Sequence, residues 1–378
     1  RYAYGEEINA LRGLQPGGES GAAADIAAAE NLVVFFGSEG LGLAGTEALA
    51  EACAALLVST NHTGNPNNGL VGVWPKANLQ GAYDLGFTPA ADLPGTLSKA
   101  SALYIAAADP AGDSPALAKA VEAAGFVVVQ EFFLTPTAKL ADVVLPAQTF
   151  IEREGTFTSG ERRVQRFYHA VAPFNGPRPD FRITADVARQ LGLDVEGRAA
   201  SLVFQRLAAE TPDYHDLSYP ALAQVHAQWP LISRHDLYYG GTGYENREGL
   251  GVQLQPQMGD SPRMPAASEP RPAPAEGEIW VAPTTCLYDR GTTMVSNPLL
   301  GAHMAGPEIW LSPATAAALQ VAQNDMVSLS LDGNAVSVQV KIVETLTDAV
   351  GLVPRSVGVP LSALQVVKIQ RTAESIAR

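Results

Sequence analysis

The stretch from Phe126 to Phe167 constrains the fold of this chain more than any other part of it. It begins with an apolar run, Phe126 to Val129, and continues with Thr135-Pro136, where proline suits a first helical position. A second apolar run, Val143 to Leu145, ends at a proline. Two apolar runs joined by a short helix are typical of buried parallel strands in a βαβ unit. The stretch therefore predicts an α/β domain with a parallel sheet.

A polar segment, Glu152 to Thr158, follows and predicts a loop. Charged residues of both signs alternate around it: Glu152, Glu154 and Glu161 are acidic, and Arg153, Arg162 and Arg163 are basic. Carboxylates close in sequence are candidates for general acid–base catalysis. The interleaved arginines favour a different interpretation, an ion-pair network that positions a loop or docks a neighbouring subunit, because arginine is enriched at such contacts.

Before this stretch the sequence predicts a strand, a glycine-rich turn and a helix in succession. The strand is expected at Asn31 to Phe36, the turn at Gly37 to Gly42 and the helix from Thr46 to Leu57. A helix start offers amides to a phosphate, but the glycines are not spaced as GxGxxG. A tight turn without a ligand is therefore the favoured prediction. Cys53 lies in an Ala/Leu helical pattern and is predicted to be a buried structural thiol.

Glycine, asparagine and proline dominate the segment from Thr60 to Pro89, which predicts a long ordered loop. His62 and Lys76 are its cationic side chains. A lone histidine in such a loop is more often a hydrogen-bonding residue than a catalyst, and we predict that role for His62.

An acidic turn follows the strand predicted at Ala102 to Ala107. Its carboxylates, Asp109 and Asp113, precede a helix predicted at Ser114 to Ala124. Two negative charges at this turn would repel a pyrophosphate. The turn therefore counts against a bound dinucleotide.

Charge and cysteine content exclude several classes of protein. The 378 residues carry a formal net charge of −14, so nucleic acid is not an expected partner. The sequence has no apolar run of the length that a membrane-spanning helix needs. Cys53 and Cys286 are its only cysteines, so neither a disulfide framework nor a site of clustered thiolates is expected. The chain begins with Arg1 instead of Met, and we expect a missing N-terminal region.

Composition divides the chain into a first domain, a linker and a second domain. Residues 1–235 are predicted to form the α/β domain with a helical cap, and residues 236–277, rich in Gly and Pro, a linker. Residues 278–378 form the second domain. Its predicted elements are a helix at Ala314 to Leu319 and strands at Met326 to Leu331 and Ala335 to Val343.

The motif ADVVLP…ExEGTFTxxERRVQ, from Ala141 to Gln165, resembles the signature of the molybdopterin oxidoreductase superfamily. The loop GxPNNGLVGVWPxANxQGAxDLG, from Gly64 to Gly86, is similar to a loop that lies near the pterin in molybdenum enzymes of the superfamily. The closing domain resembles its double-psi β-barrel. The resemblance implies a Rossmann-like parallel-sheet domain of the molybdopterin oxidoreductase type, followed by a small double-psi β-barrel domain.

Two groups within the superfamily are similar to this chain: the catalytic chains of formate dehydrogenases and the large iron–sulfur subunit of bacterial respiratory NADH:quinone oxidoreductase, complex I. The Gly64–Gly86 loop, the acidic turn and a barrel whose end lacks His are more similar to the complex I protein. The favoured interpretation is a structural region that scaffolds the peripheral electron-transfer arm, with pterin and metal lost. The alternatives are the C-terminal part of a molybdopterin-dependent, formate dehydrogenase-like oxidoreductase, or a free-standing binding protein.

The complex I resemblance implies iron–sulfur clusters in a preceding N-terminal region and no cofactor in this chain. It implies partners among the other peripheral-arm subunits and a peripheral position on the cytoplasmic side of the cell membrane. The whole protein would act as an enzyme only as a subunit of NADH:quinone oxidoreductase. No residue of this chain is therefore assigned a catalytic, cofactor-binding or metal-binding role.

Overall fold

The computed structural model describes residues 2, 5–37, 41–65, 67–90, 92–223, 251–254, 261–267, 274–288, 297–331 and 334–372. The chain forms two compact units that alternate along the sequence. The first comprises Arg1–Ser38, Ala44–Thr88 and Ala147–Pro270, and the second Glu39–Leu43, Pro89–Pro146 and Arg271–Arg378. The sequence predicted consecutive domains, 1–235 and 278–378, around a 236–277 linker. Those boundaries stay a prediction.

The described helices and strands are numbered in chain order. The α-helices are α1 Glu7–Gly13, α2 Ala23–Ala28, α3 Gly42–Ser59, α4 Leu79–Asp84, α5 Leu93–Ser98, α6 Pro110–Asp113, α7 Pro115–Glu122, α8 Pro136–Leu140, α9 Asp180–Gln190, α10 Ala200–Glu210, α11 Tyr219–Leu222 and α12 Pro313–Ala318. The strands are β1 Val33–Gly37, β2 Gly69–Val73, β3 Leu103–Ala106, β4 Val127–Glu131, β5 Val143–Pro146, β6 Gly155–Thr158, β7 Arg163–Phe167, β8 Val252–Gln253, β9 Glu278–Thr284, β10 Glu308–Leu311, β11 Met326–Leu331, β12 Asn334–Ile342, β13 Val350–Pro354 and β14 Gln365–Arg371.

The predicted parallel βαβ unit is present in the second unit. Strands β3, β4 and β5 form a parallel sheet in that order, and α8 connects β4 to β5. Thr135 caps α8, because its side chain accepts a hydrogen bond from the Ala138 amide. Val121, Val127 and Val129 are at most 3% exposed in the core beneath the sheet, and burying each side chain stabilises the fold by about 1.5–3 kcal/mol. The α/β fold class is confirmed.

A closed six-stranded barrel forms the C-terminal part of the second unit, in the order β10-β12-β11-β14-β9-β13. Alternate side chains point inward: Val327 and Leu329 of β11, and Val338 and Val340 of β12, are fully buried. The predicted barrel is therefore confirmed, although β10 and β14 were not foreseen. The turn that joins β11 to β12, at Asp332-Gly333, lies outside the described residues.

Residues 60–89 are more regular than predicted, since they contain β2 and α4. The prediction of a long loop is wrong for these segments. Strand β2 pairs in parallel with β1, with Val71 opposite Phe35. Its start is fixed by Asn68, whose Oδ1 accepts a hydrogen bond from the Leu32 amide at 2.7 Å. Gly and Asn are unfavourable in strands, so the sequence around this short apolar run favours a loop. The strand forms because it pairs with β1.

The predicted polar loop is instead an antiparallel hairpin from Gly155, formed by β6 and β7. The rings of Phe157 and Phe167 stack across it with centroids 4.5 Å apart, and Val164 is fully buried. Cross-strand aromatic pairs of this kind stabilise hairpins. Strand β8, Val252–Gln253, pairs with β7, although it falls in the predicted linker. The predicted loop is therefore wrong for Gly155–Thr158, whereas the linker stays a prediction.

Helices α9, α10 and α11 match the predicted helical cap. A core forms between these helices and Val164 of the hairpin. It contains Phe204 of α10, Tyr214 of the turn after α10, and Leu222 of α11, each at most 4% exposed. None of the helices in the described ranges is long and apolar enough to cross a membrane.

Candidate functional site

A hydrogen-bonded network in the first unit joins the two stretches that carry the family motifs. We call it the Asp84 network; its members are Trp74, Asn78, Gln80, Asp84, Thr158, Arg162, Asp213 and Tyr214. The first four belong to the 60–89 segment, and Thr158 and Arg162 belong to the β6–β7 hairpin. The Thr158 amide donates to Asn78 Oδ1 at 2.8 Å. The two motifs, distant in sequence, are therefore held together.

The backbones of the two motifs also touch directly. The Gly72 amide donates to the Gly160 carbonyl oxygen at 3.0 Å. A Cβ atom placed on Gly160 would lie 1.7 Å from the Gly72 carbonyl oxygen. No side chain fits at that distance, so glycine is required at position 160 for this approach.

Asp84 is the centre of the network, and its side chain is only 7% exposed. Its Oδ1 accepts a hydrogen bond from Gln80 Nε2 at 2.9 Å and lies 3.3 Å from Arg162 Nε. Its Oδ2 accepts a weaker bond from the Tyr214 hydroxyl at 3.3 Å. Trp74 Nε1 donates to Gln80 Oε1 at 2.9 Å and so orients the Gln80 amide. A buried carboxylate needs such partners, because burial without them is costly.

Arg162 links Asp84 to a second carboxylate. Its Nη2 donates to Asp213 Oδ2 at 2.5 Å, and the side chains of Arg162 and Asp213 are 25% and 19% exposed. The backbone of Arg162 has a φ of 60°, in the left-handed region that non-glycine residues seldom adopt. One guanidinium therefore interacts with two carboxylates from a strained backbone position.

Tyr214 completes the network from the turn after α10. It is 3% exposed, and its hydroxyl lies 2.7 Å from Thr158 Oγ1. Burial raises the pKa of Tyr214 to about 12; the nearby Asp84 carboxylate acts in the same direction, while the hydrogen bond with Thr158 opposes it. The phenol is therefore protonated near neutral pH and serves as a hydrogen-bond donor.

The polar groups of the Asp84 network bind mainly to one another. Such an arrangement fixes the 60–89 segment against the β6–β7 hairpin, and it agrees with the interpretation of Arg162 as a positioning residue. The sequence did not identify Asp84, Asp213 or Tyr214, since none stands in a recognisable catalytic pattern. The family motifs pointed only to the two stretches that meet here.

Two further ion pairs lie around the hairpin. Arg153 pairs with Asp180, and Arg163 Nε lies 2.9 Å from Glu161 Oε1. Both pairs are partly exposed. Exposed ion pairs contribute about 0–1 kcal/mol each, so these two do not organise the site.

Glu152 is buried and holds the turn before the hairpin. Its Oε2 accepts hydrogen bonds from the Thr149 amide at 2.9 Å and the Thr149 hydroxyl at 2.7 Å. Its Oε1 accepts one from the Phe174 amide at 2.9 Å. The Phe174 amide, followed by the two groups of Thr149, lowers the pKa of Glu152. Both carboxylate oxygens of Glu152 therefore accept hydrogen bonds from Thr149 and Phe174. This arrangement does not support a role for Glu152 in acid–base catalysis.

We predict that Glu152→Gln lowers the unfolding free energy at pH 7, and that the difference from the original chain shrinks on acidification. A carboxyl group whose folded pKa is depressed stabilises the fold above its unfolded pKa, near 4.5. That contribution is lost as the pH falls through the folded pKa. Urea unfolding between pH 7 and pH 3 measures the difference in unfolding free energy between the variant and the original chain. Substitution of the exposed Glu161 by Gln is the control. A difference that stays constant across this range contradicts the prediction.

His62 and Cys53 both have structural positions. His62 is 4% exposed; its Nε2 lies 2.8 Å from the Ala29 carbonyl oxygen and its Nδ1 2.8 Å from Thr60 Oγ1. This is the hydrogen-bonding role that the sequence predicted. Cys53 is 2% exposed, and burial raises the pKa of its thiol to about 11. A buried, protonated thiol is a poor nucleophile.

Asp109 lies where β3 ends, at the edge of the sheet at which open α/β folds bind their ligands. Its Oδ1 accepts hydrogen bonds from the Thr137 amide at 2.9 Å, the Thr137 hydroxyl at 2.6 Å and the Gly112 amide at 3.2 Å. The carboxylate therefore ties α6 to the start of α8. The sequence predicted repulsion of a phosphate here, but not this contact.

A shallow cavity of about 700 Å³ opens between α9 and α10. Its arginines are Arg182, Arg189, Arg198 and Arg206. Each of them has a carboxylate partner: Asp186 for Arg182 and Arg189, Glu196 for Arg198, and Glu210 for Arg206. These pairs largely offset the positive charge, so we assign no anion site to the cavity. Across the described residues, no group of three or more His, Cys, Asp or Glu is placed to hold a metal ion.

Residues 4–190 match the protein-family model for molybdopterin oxidoreductase. They include the 60–89 segment, the β3–β4–β5 sheet and the β6–β7 hairpin.

Curated relatives carry formate dehydrogenase names. The alpha subunit of the F420-dependent formate dehydrogenase 2 of Methanococcus maripaludis is 34% identical over 224 residues, which are 49% of this chain and 33% of that protein. A putative formate dehydrogenase of Staphylococcus aureus is 40% identical over 132 residues, 34% of this chain and 13% of that protein. The chain thus spans a third or less of the length of these relatives.

Among solved structures, the acetylene hydratase of Pelobacter acetylenicus is similar over 70% of this chain and 39% of that chain, with 15% identity and a TM-score of 0.46. A likeness of this degree indicates nothing about activity.

Proposed function

We propose, from the premise that residues 4–190 form a molybdopterin oxidoreductase domain, that this chain is part of a formate dehydrogenase-like oxidoreductase. The observation that carries the proposal is its similarity to chains named formate dehydrogenase. The sequence left this function open as the alternative. The favoured complex I interpretation finds no support in these relatives.

The Asp84 network gives this chain a defined part in such a protein. The 60–89 segment resembles the loop that lies near the pterin in molybdenum enzymes of the superfamily. Its Asn78, Gln80 and Asp84 are fixed by hydrogen bonds and by the Arg162 ion pair. A loop held in one conformation presents its backbone to a cofactor without a further cost of ordering. We propose positioning of this loop as the role of the network.

One edge of the fold does not fit the phosphate part of a pterin dinucleotide. The amides of Thr137 and Gly112, near the starts of α8 and α6, are the kind of donor that holds phosphate. Both already donate to the Asp109 carboxylate. A phosphate placed there would compete with a negative charge for the same donors. We therefore derive no catalytic step through a cofactor at the β3–β4–β5 edge.

This misfit favours a second candidate: a member of the family that keeps the fold without pterin and metal. The large iron–sulfur subunit of complex I is such a member. In that case the chain would scaffold a peripheral arm at the cytoplasmic side of the membrane and bind neighbouring subunits. Iron–sulfur clusters would then belong to a region outside this chain.

Formate-dependent reduction of an artificial electron acceptor distinguishes the two candidates. The native protein is purified from its source with its associated subunits, and dye reduction is followed with formate and, separately, with NADH. The proposed function predicts formate-dependent reduction. Reduction with NADH and none with formate contradicts it and supports the second candidate.

A further inference from the structure

We infer that the Asp109 carboxylate is a built-in anion, which takes the position that a phosphate group would otherwise occupy at the edge of the β3–β4–β5 sheet. The inference deepens the proposed function, on which it rests for the chemical class of the cofactor, a pterin dinucleotide. It states that the phosphates of such a cofactor do not bind at the starts of α6 and α8.

The donors around Asp109 are those of an anion site. The Thr137 amide and hydroxyl and the Gly112 amide all donate to Oδ1, at 2.9, 2.6 and 3.2 Å. The Thr137 hydroxyl also accepts a hydrogen bond from the Ala111 amide at 2.9 Å, so its proton is directed to Asp109. Backbone amides at helix starts, assisted by a hydroxyl, are the groups that bind phosphate in nucleotide-binding folds.

The place of Asp109 and Thr137 in the sheet also supports the inference. Asp109 follows β3 and Thr137 follows β4, at the carboxyl ends of neighbouring parallel strands. Ligands of open α/β sheets bind outside this edge. Thr137 is fully buried, so its amide would lose its partner if the carboxylate were absent. An unpaired buried amide is costly, so the Thr137 amide needs an acceptor at this position, and Asp109 supplies it.

Asp92 provides a matched comparison within the same unit. Both aspartates cap a short helix, each is followed by a proline within two residues, and each accepts from the amide of the glycine three residues later. For Asp92 that donor is Gly95, at 2.9 Å. Only Asp109 accepts in addition from a second helix, through Thr137. An ordinary helix cap explains Asp92, whereas the extra donors of Asp109 are what a bound anion would require.

Chemical rescue of Asp109→Ala by acetate tests the inference, with Asp92→Ala as the control. Acetate carries the missing carboxylate, and sodium chloride at equal ionic strength removes general salt effects. Asp109→Ala should lose thermal stability, and acetate should restore about 2–4 °C of its Tm in a saturable manner. Asp92→Ala should respond alike to acetate and chloride. No rescue, or equal rescue of both variants, overturns the inference.

A measurement on the unsubstituted chain covers the case in which Asp109→Ala does not fold. Amide hydrogen exchange of residues 135–140 is followed with and without inorganic pyrophosphate as the probe. The built-in anion predicts no added protection, and protection of this segment by pyrophosphate overturns it. Asp109→Ser, a neutral and shorter helix cap that leaves space beside the Thr137 amide, should gain protection by pyrophosphate; a variant as unresponsive as the original chain also counts against the inference. Neither experiment depends on formate oxidation, so failure of the proposed function is recognised separately.

Discussion

Replacing Arg162 by Met should lower the unfolding free energy of the chain by about 3–5 kcal/mol, because it leaves the buried Asp84 carboxylate without the cation that lies 3.3 Å from it. The side chains of Asp84 and Asp213 are 7% and 19% exposed, and Arg162 is the cation that lies between them. Urea denaturation, followed by circular dichroism, measures the change.

The neighbouring Arg163→Met is the matched control for this prediction. Arg163 pairs with Glu161, whose side chain is 46% exposed, and exposed pairs contribute about 0–1 kcal/mol. The two substitutions remove the same charge from adjacent positions of one hairpin. Equal losses for both variants would show that the Asp84 network does not act as a buried charge cluster.

A double substitution separates charge burial from lost packing. If the penalty in Arg162→Met comes from an uncompensated carboxylate, then adding Asp84→Asn should recover part of the lost stability. Additive losses in the double variant would point to packing as the cause. The cycle therefore tests the mechanism of the first prediction and not only its size.

Gly160→Ala is expected to destabilise the chain by about 3 kcal/mol, the second large effect. The added Cβ would lie 1.7 Å from the Gly72 carbonyl oxygen, and backbone atoms cannot turn aside as a flexible side chain can. The substitution must push β2 and the hairpin apart and break the 3.0 Å hydrogen bond from the Gly72 amide. Faster hydrogen exchange of the Gly72 amide should accompany the lower unfolding free energy.

Gly21→Ala is the control for Gly160→Ala. A Cβ on Gly21 meets no atom within 4 Å, so the change in unfolding free energy should stay within about 1 kcal/mol. A Gly160→Ala variant as stable as the control would mean that the two motifs are not held by this close approach.

The residues of the βαβ unit could be placed from the sequence because their signals are local. Apolar runs at Val127 and Val143 and the Thr135-Pro136 helix start each fit within a few residues, and each agrees with the observed sheet. The barrel strand β11 was predicted for the same reason, and burial alternates along Met326–Leu331 as a half-buried strand requires. Local pattern and tertiary structure agree in these elements.

The Asp84 network could not be assembled from the sequence, because its members meet only through tertiary contacts. Tyr214 and Asp84 are 130 residues apart, and Arg162 and Asp213 are 51 apart. No periodic pattern connects such positions. One usable signal was overlooked: the pattern Asp-x-x-Gly occurs at both Asp92 and Asp109, and it marks carboxylates that cap helices.

Short strands were missed where pairing, and not composition, determines the structure. Val252–Gln253 forms β8 only by hydrogen bonding to β7, and the β6–β7 hairpin depends on the stacking of Phe157 on Phe167. Polar residues dominate both segments, so local propensity favours loops. Strand propensity is set largely by such cross-strand contacts.

Molybdenum, tungsten and pterin analysis of the native protein, purified with its associated subunits, tests the central claim most directly. A formate dehydrogenase-like oxidoreductase should contain molybdenum or tungsten together with pterin, in a fixed ratio to this chain. Iron without molybdenum, tungsten or pterin would contradict that function and leave the chain as a scaffold of the same fold.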